Sequence, residues 1–101
     1  MQVSYQYQGK WRIKALSGDA VVIGRPNNKV AVGIDLSPDT TVSRVHAQIW
    51  LENGQCWVED LGSRYGTSVN GSQITGRLEL NQGDEIRIGE TILRVDASAG
   101  A

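Results

Sequence analysis

What is scarce in this chain narrows its function first. There is one cysteine, Cys56, so no internal disulfide can staple the fold, and it stands in the apolar run Cys56-Trp57-Val58, where a small buried thiol is the ordinary occupant. One histidine beside one cysteine gives no donor set for a zinc site of the usual kind, and no metal or cofactor is expected. Lysine and arginine number 10 against 11 acidic residues, a formal net charge of -1. A general nucleic-acid binder would need a basic excess to displace counterions from the phosphate backbone, so no nucleic-acid partner is expected and any recognition of an anion must be local. No apolar stretch approaches the roughly 20 residues of a membrane helix. Met1 to Gln8 is polar and aromatic rather than a basic segment followed by an apolar one, so the expectation is a cytoplasmic protein without membrane contact.

What is present reads as one domain. With 101 residues, 40% of them hydrophobic, the chain can build a single core but not two. Its apolar runs are short, alternate with polar residues and are broken by turn signals, the pattern of an all-β sandwich or barrel, and no stretch reads as a long helix. Trp11, Ile13 and Ala15 fall on one face of a strand with Arg12 and Lys14 on the other; Ala47, Ile49 and Leu51 alternate with His46, Gln48 and Trp50. Asn53-Gly54 and Asn70-Gly71 are type I′ hairpin signals, because both central residues need positive φ, and Gly89-Glu90 closes a further hairpin. The expectation is an antiparallel β-sandwich of roughly ten to eleven short strands, its second half a meander of consecutive hairpins, with binding loops at one end. Residues 27–38 form the longest non-periodic stretch, a surface loop in which Lys29 to Val32 is a candidate edge strand. Trp50 and Trp57, on either side of the Asn53-Gly54 turn, are expected to be packing residues. Asp96 to Ala101 has the composition of a flexible linker, which gives a domain over 1–95 and a linker over 96–101, in a monomeric module cut from a longer protein.

Three polar motifs stand in loop-type sequence beside apolar runs: Gly24-Arg25-Pro26, Ser43-Arg44-Val45-His46 and Gly62-Ser63-Arg64-Tyr65-Gly66-Thr67. Arginines, hydroxyls and glycine-exposed backbone N–H groups together make a receptor for a multiply charged anion, since guanidinium and phosphate match as bidentate, charge-assisted partners. Strands of a sandwich bring the loops of one end together, so phosphate is the leading candidate. Ser43, His46 and Asp60 are the residue types of a hydrolytic triad, but no nucleophile elbow surrounds the serine, and no nucleotide-binding P-loop string occurs. No catalytic residue is expected.

The ordered set Gly24-Arg25, Ser43-Arg44-Val45-His46, Asp60-Leu61-Gly62-Ser63, Gly66-Thr67 and Val69-Asn70-Gly71 closely resembles the forkhead-associated (FHA) domain, a phosphothreonine-peptide-binding β-sandwich. The resemblance runs from about Trp11 to Val95 and continues in Leu80, Gly83-Asp84, Ile86 and Gly89. It implies that Arg25 and Ser43 contact the phosphate, with Arg44 assisting and Arg64 completing the site through backbone and side chain. Ser63 joins them in the binding loop, and Thr41 falls where the family often reads the peptide side chain three residues after the phosphothreonine. Gly24, His46, Gly66, Thr67 and Asn70 match positions that hold the loops in shape, His46 by hydrogen bonds beneath the Ser43 loop and Asn70 by tying adjacent loops together. Tyr65 stands where many members carry an Asn that bonds the peptide backbone and shapes the pocket for the threonine methyl, a departure that bears on phosphothreonine over phosphoserine. The resemblance thus implies a phosphothreonine-containing partner, or a segment of the parent chain, and an upstream Ser/Thr kinase. The alternative is a phospho-independent interaction or dimerisation module on the same fold.

Overall fold

The structure, a computed structural model, describes residues 1–96. Eleven strands form two sheets, with no helix among the described residues: β1 (Gln2–Tyr7), β2 (Lys10–Ala15), β3 (Val21–Gly24), β4 (Ile34–Asp35), β5 (Val45–Glu52), β6 (Gln55–Asp60), β7 (Thr67–Val69), β8 (Ser72–Gln73), β9 (Arg77–Leu80), β10 (Glu85–Ile88) and β11 (Thr91–Asp96). One sheet has the order β2-β1-β11-β10-β7-β8 and the other β4-β3-β5-β6-β9. The expected sandwich is there. Its core is built by period-two alternation: Val3 and Tyr5 from β1, Ile86 and Ile88 from β10, and Leu93 and Val95 from β11 face Ile23, Ala47, Ile49, Cys56, Val58 and Leu80 of the other sheet. Burial pushes the Cys56 thiol up to about 11, so it sits there as a small hydrophobe.

Asn53-Gly54 and Asn70-Gly71 adopt positive φ at both residues, 53° and 76°, then 49° and 86°, as type I′ turns demand. The hairpins β5-β6, β7-β8 and β10-β11 follow, but they do not join into a meander. β9 returns to pair with β6 in one sheet, while β10 pairs with β7 in the other. One pairing, β3 with β4, is parallel. The expected edge strand at Lys29 to Val32 is absent; the short strand comes later, at Ile34–Asp35. Its place is taken by an Asx turn, because Asn27 Oδ1 accepts the N–H groups of Lys29 and Val30 and leaves neither for a ladder.

β2 carries its alternation the wrong way round for a core strand. Its register pairs Arg12 with Tyr5 and Lys14 with Val3, so the basic residues share the inner face with core residues. Arg12 lies over the Tyr7 ring, 4.4 Å from its centroid, at the open edge of the sandwich. Trp11 and Ile13 point to solvent, 68% and 62% exposed. Inward-facing charges on an edge strand also discourage edge-to-edge pairing with another chain. Trp50 and Trp57 are direct cross-strand partners on the outer face of the smaller sheet, half-buried against each other, with Arg77 4.9 Å over the Trp57 ring. Asp96 belongs to β11 opposite Gln2, and accepts a hydrogen bond from the Ser4 hydroxyl, so the linker expected from Asp96 does not begin there; its remaining residues, 97–101, lie outside the described ones.

Candidate anion-binding site

The end of β3 and the start of β5 are fused by a backbone contact that only glycine allows. A Cβ on buried Gly24 would stand 2.1 Å from the Arg44 carbonyl oxygen and 3.0 Å from that of Ser43. The close approach lets the Arg25 N–H donate to the Arg44 carbonyl at 3.1 Å, which brings both arginines and Ser43 together. Asn27 adds a clamp: its Nδ2 donates to the carbonyls of Arg25 (3.0 Å) and Arg44 (3.2 Å).

His46, fully buried, joins the second and third loops. Its Nδ1 accepts the Ser43 N–H at 3.0 Å, so the ring proton is on Nε2, which donates to the Gly66 carbonyl at 2.8 Å. Both nitrogens are thereby committed, and His46 makes no hydrogen bond to the Ser43 hydroxyl or to Asp60; the three residues do not form a triad. The Ser43 hydroxyl oxygen accepts the Arg64 N–H at 3.0 Å, which fixes the oxygen and leaves its proton for a ligand.

Asp60 is the hub of the third loop. Its carboxylate accepts the N–H groups of Gly62 and Ser63 and the hydroxyls of Ser63 (2.5 Å) and buried Thr67 (2.8 Å). Burial alone would raise its pKa; the four donors outweigh that and hold it below the ordinary carboxylate value. Asp39 does the same for the β4–β5 loop: it accepts from the N–H and hydroxyl of Thr41, the Glu90 N–H (2.8 Å) and the Thr91 hydroxyl (2.8 Å). Here too burial pushes the carboxyl up, and the hydrogen bonds bring it below its usual range. Neither hub stood among the expected site residues. Pro38-Asp39-Thr40-Thr41 and Pro26-Asn27 carry the Asx signature that would have flagged Asp39 and Asn27.

Of the expected binding residues, Arg25, Ser43, Arg44 and Arg64 converge. The Nε of Arg25 is buried and has no hydrogen-bond partner among the described residues. Arg44 and Arg64 are exposed, and Arg64 leans on the exposed Tyr65 ring at 5.5 Å. The Arg64 N–H is spent on Ser43, so this residue offers its side chain alone. Two further expectations change. Ser63 is a strut, its hydroxyl donating to Asp60 and accepting the Gly66 N–H. The Thr41 hydroxyl proton is committed to Asp39, which leaves that residue its methyl group and an acceptor oxygen but no donor to present. Gly66 supplies the positive φ of its turn, 82°, and Thr67 is the buried anchor beside it. Asn70 bonds Asp84 and Glu85, at the opposite end of β7 from the loops just described.

Fold and loops together define a β-sandwich that gathers, at one end, donors of the kind a multiply charged anion would require. A family model, that of the FHA domain, matches residues 21–89, and the chain belongs to that family. It is 39% identical over 75 residues to Protein FraH of Nostoc sp., an alignment that takes in 69% of this chain and 26% of FraH. The chain therefore spans about a quarter of that relative's length. Among solved structures, it resembles the FhaA FHA domain complexed with the intracellular domain of Rv3910 (30% identity, TM-score 0.79, 92% of this chain and 96% of that one). It also resembles a domain solved in an analysis of phosphothreonine-dependent FHA domain interactions (29% identity, TM-score 0.75, 97% and 98%). No helix of the described residues is long and apolar enough to cross a membrane.

Proposed function

We propose that this domain is a non-catalytic reader of phosphothreonine in an extended segment of a partner protein or of its own parent chain. The observation that carries the reading is the orphaned Nε of Arg25: a buried guanidinium N–H without an acceptor is costly, and the Arg25 backbone is bonded to Arg44, next in the chain to a serine whose hydroxyl proton is unassigned. A phosphothreonine brings about -1.5 to -2 charges and the acceptor oxygens that an unmodified threonine lacks. Arg25 and Ser43 grip it, and Arg44 and Arg64 close over it from two loops. Discrimination follows from differential charge, so the module acts downstream of a Ser/Thr kinase without doing chemistry itself. A phosphothreonine-dependent FHA neighbour and the FhaA complex support this assignment. FraH's greater length fits a module within a longer polypeptide, and the buried free thiol of Cys56 fits a reducing, cytoplasmic setting.

Calorimetric titration with a phosphothreonine peptide pool, beside unphosphorylated and phosphoserine versions, tests the reading. Binding should require the phosphate and vanish in Arg25→Ala, because losing a desolvated guanidinium contact costs about 2–5 kcal/mol of a micromolar ligand's total of about -8 kcal/mol. Binding that survives Arg25→Ala would place the operative surface elsewhere, as a phospho-independent module requires.

A further inference from the structure

Trp11 serves neither the core nor the phosphate receptor, yet it walls the larger of two connected hollows. On the solvent face of the six-stranded sheet, Trp11, Ile92 and Arg94 border a groove of about 570 Å³. A second hollow, about 260 Å³, is lined by Leu36, Pro38 and Asp39. Gln6, Glu90 and Thr91 border both, so the two run together over the β10–β11 turn. That junction is pinned, because Asp39 holds Glu90 and Thr91 on one side and Thr41 on the other, two residues before Ser43. The hollows thus run from Asp39, four residues before Ser43, to the exposed Trp11.

We propose that this groove holds the continuation of the phosphorylated segment past Thr41, an extended stretch that brings a basic residue to Glu90 and then an apolar side chain to Trp11 and Ile92. The inference rests on the phosphothreonine reading above and deepens it from one residue to a segment. The chemistry follows from the lining. The lining sets two carboxylates, Glu85 and Glu90, against one guanidinium, Arg94; none of the three forms an ion pair with another described residue, so the groove has an acidic excess, and the exposed Glu90 at its inner end is placed to meet a cation. Trp11 at 68% and Ile92 at 42% exposure give the far end an apolar wall, and a concave wall of this kind suits an inserted side chain. Reach is no obstacle, since the domain's longest extent is 34 Å and an extended chain covers about 3.3 Å per residue, so a tail of about ten residues suffices.

The test is affinity selection on the immobilised domain with degenerate peptide pools read by sequencing. One pool has phosphothreonine with four random residues on each side; two others add a ten-residue random tail on one side or the other; a fourth carries the tails without phosphate. One tailed phosphorylated pool should be retained at least tenfold better than the short pool, with a basic and then an apolar residue enriched in its tail. Trp11→Ala should return that pool to the short-pool level while the short pool binds as before. Equal retention of tailed and short pools, or a tail advantage that survives Trp11→Ala, overturns the groove while leaving the phosphate site standing. Failure of the short pool, or its indifference to Arg25→Ala, overturns the phosphate reading and the inference with it. Trp11-dependent retention of the unphosphorylated pool that equals the phosphorylated one also overturns the inference, since the groove would then act alone.

Discussion

Gly24→Ala puts the contact between β3 and the Ser43-Arg44 loop to the test. The new Cβ meets the Arg44 carbonyl oxygen at 2.1 Å, and ordinary contact begins at 3.4 Å, so that oxygen must retreat by about 1.3 Å. Backbone, unlike the tip of a flexible side chain, cannot swing aside. The retreat stretches the bonds that the Arg44 carbonyl accepts from the Arg25 N–H and from Asn27. Overpacking at about 1–3 kcal/mol together with two weakened hydrogen bonds at about 0.5–1.5 each comes to about 2–6 kcal/mol. For a domain of this size that is a fall in Tm of roughly 10–30 °C. Because Arg25 and Ser43 are displaced along with the carbonyl, phosphopeptide affinity should fall at least about tenfold even well below the new Tm. The control is Gly62→Ala, where φ is +81° but a Cβ meets open space. It should cost only the left-handed penalty of about 1–2 kcal/mol. Thermal melts followed by tryptophan fluorescence and calorimetric titration at 10 °C read both effects. A Gly24→Ala domain that melts within 3 °C of wild type and binds unchanged would show that the close approach does not hold the receptor together.

Asn27→Ala removes a clamp on two carbonyls and an Asx turn, and should lose about 1–2 kcal/mol in urea denaturation together with several-fold in affinity; an unchanged midpoint and affinity would make the clamp ornamental. Asp39 and Asp60 have folded pKa values below their unfolded ones, so the stability they contribute is present above the unfolded value near pH 4 and is lost as pH falls through the lowered folded values. The urea midpoint should therefore drop with acidification below about pH 4, and the Asp39→Asn and Asp60→Asn variants should each show a shallower drop; the same slope in all three proteins counts against these hubs. Cys56, buried and with its thiol pushed up to about 11, should resist a thiol-reactive disulfide reagent at pH 8 in the native state and react at once in denaturant. Rapid native labelling would show that the strands around it open readily.

Much of the fold was legible because its signals are local. Asn53-Gly54 and Asn70-Gly71 demand positive φ at consecutive residues, and alternation along β5, β10 and β11 marks a half-buried pleat. Strand order was not legible, since a hairpin signal fixes only a strand's neighbour in sequence and says nothing of β9 returning to β6. The inverted face of β2 was hidden for a related reason: alternation defines two faces, and only the pairing of Arg12 with Tyr5 decides which one turns inward. In the site, the arginines and Ser43 stood out as motifs, whereas the Asp39 hub depends on partners 51 and 52 residues away. The change of role at Ser63 depends likewise on where its hydroxyl proton goes, which composition does not reveal.

The placement of the carboxylates explains why the receptor stays open. Asp39 lies in the same loop as Arg44, and Asp60 ends the strand that leads into the loop of Arg64; in a floppy loop a nearby guanidinium would simply pair with them. Instead each carboxylate is saturated by neutral N–H and O–H donors from its own loop or the next. Between described residues, no carboxylate pairs with Arg25, Arg44 or Arg64; the ion pair that is present joins Arg77 and Glu52, at 3.8 Å. His46 and Asn27 spend themselves in the same way on backbone groups. What remains unspent at this end of the sandwich is the buried Arg25 Nε, the Ser43 proton and two exposed guanidiniums, a set of donors without an acceptor. Ordering such loops at the moment of binding would consume much of the gain from a phosphate. By ordering them beforehand with neutral donors, the fold keeps its positive groups unpaired, which is how the proposed reader would draw anion selectivity from a chain whose net charge is -1.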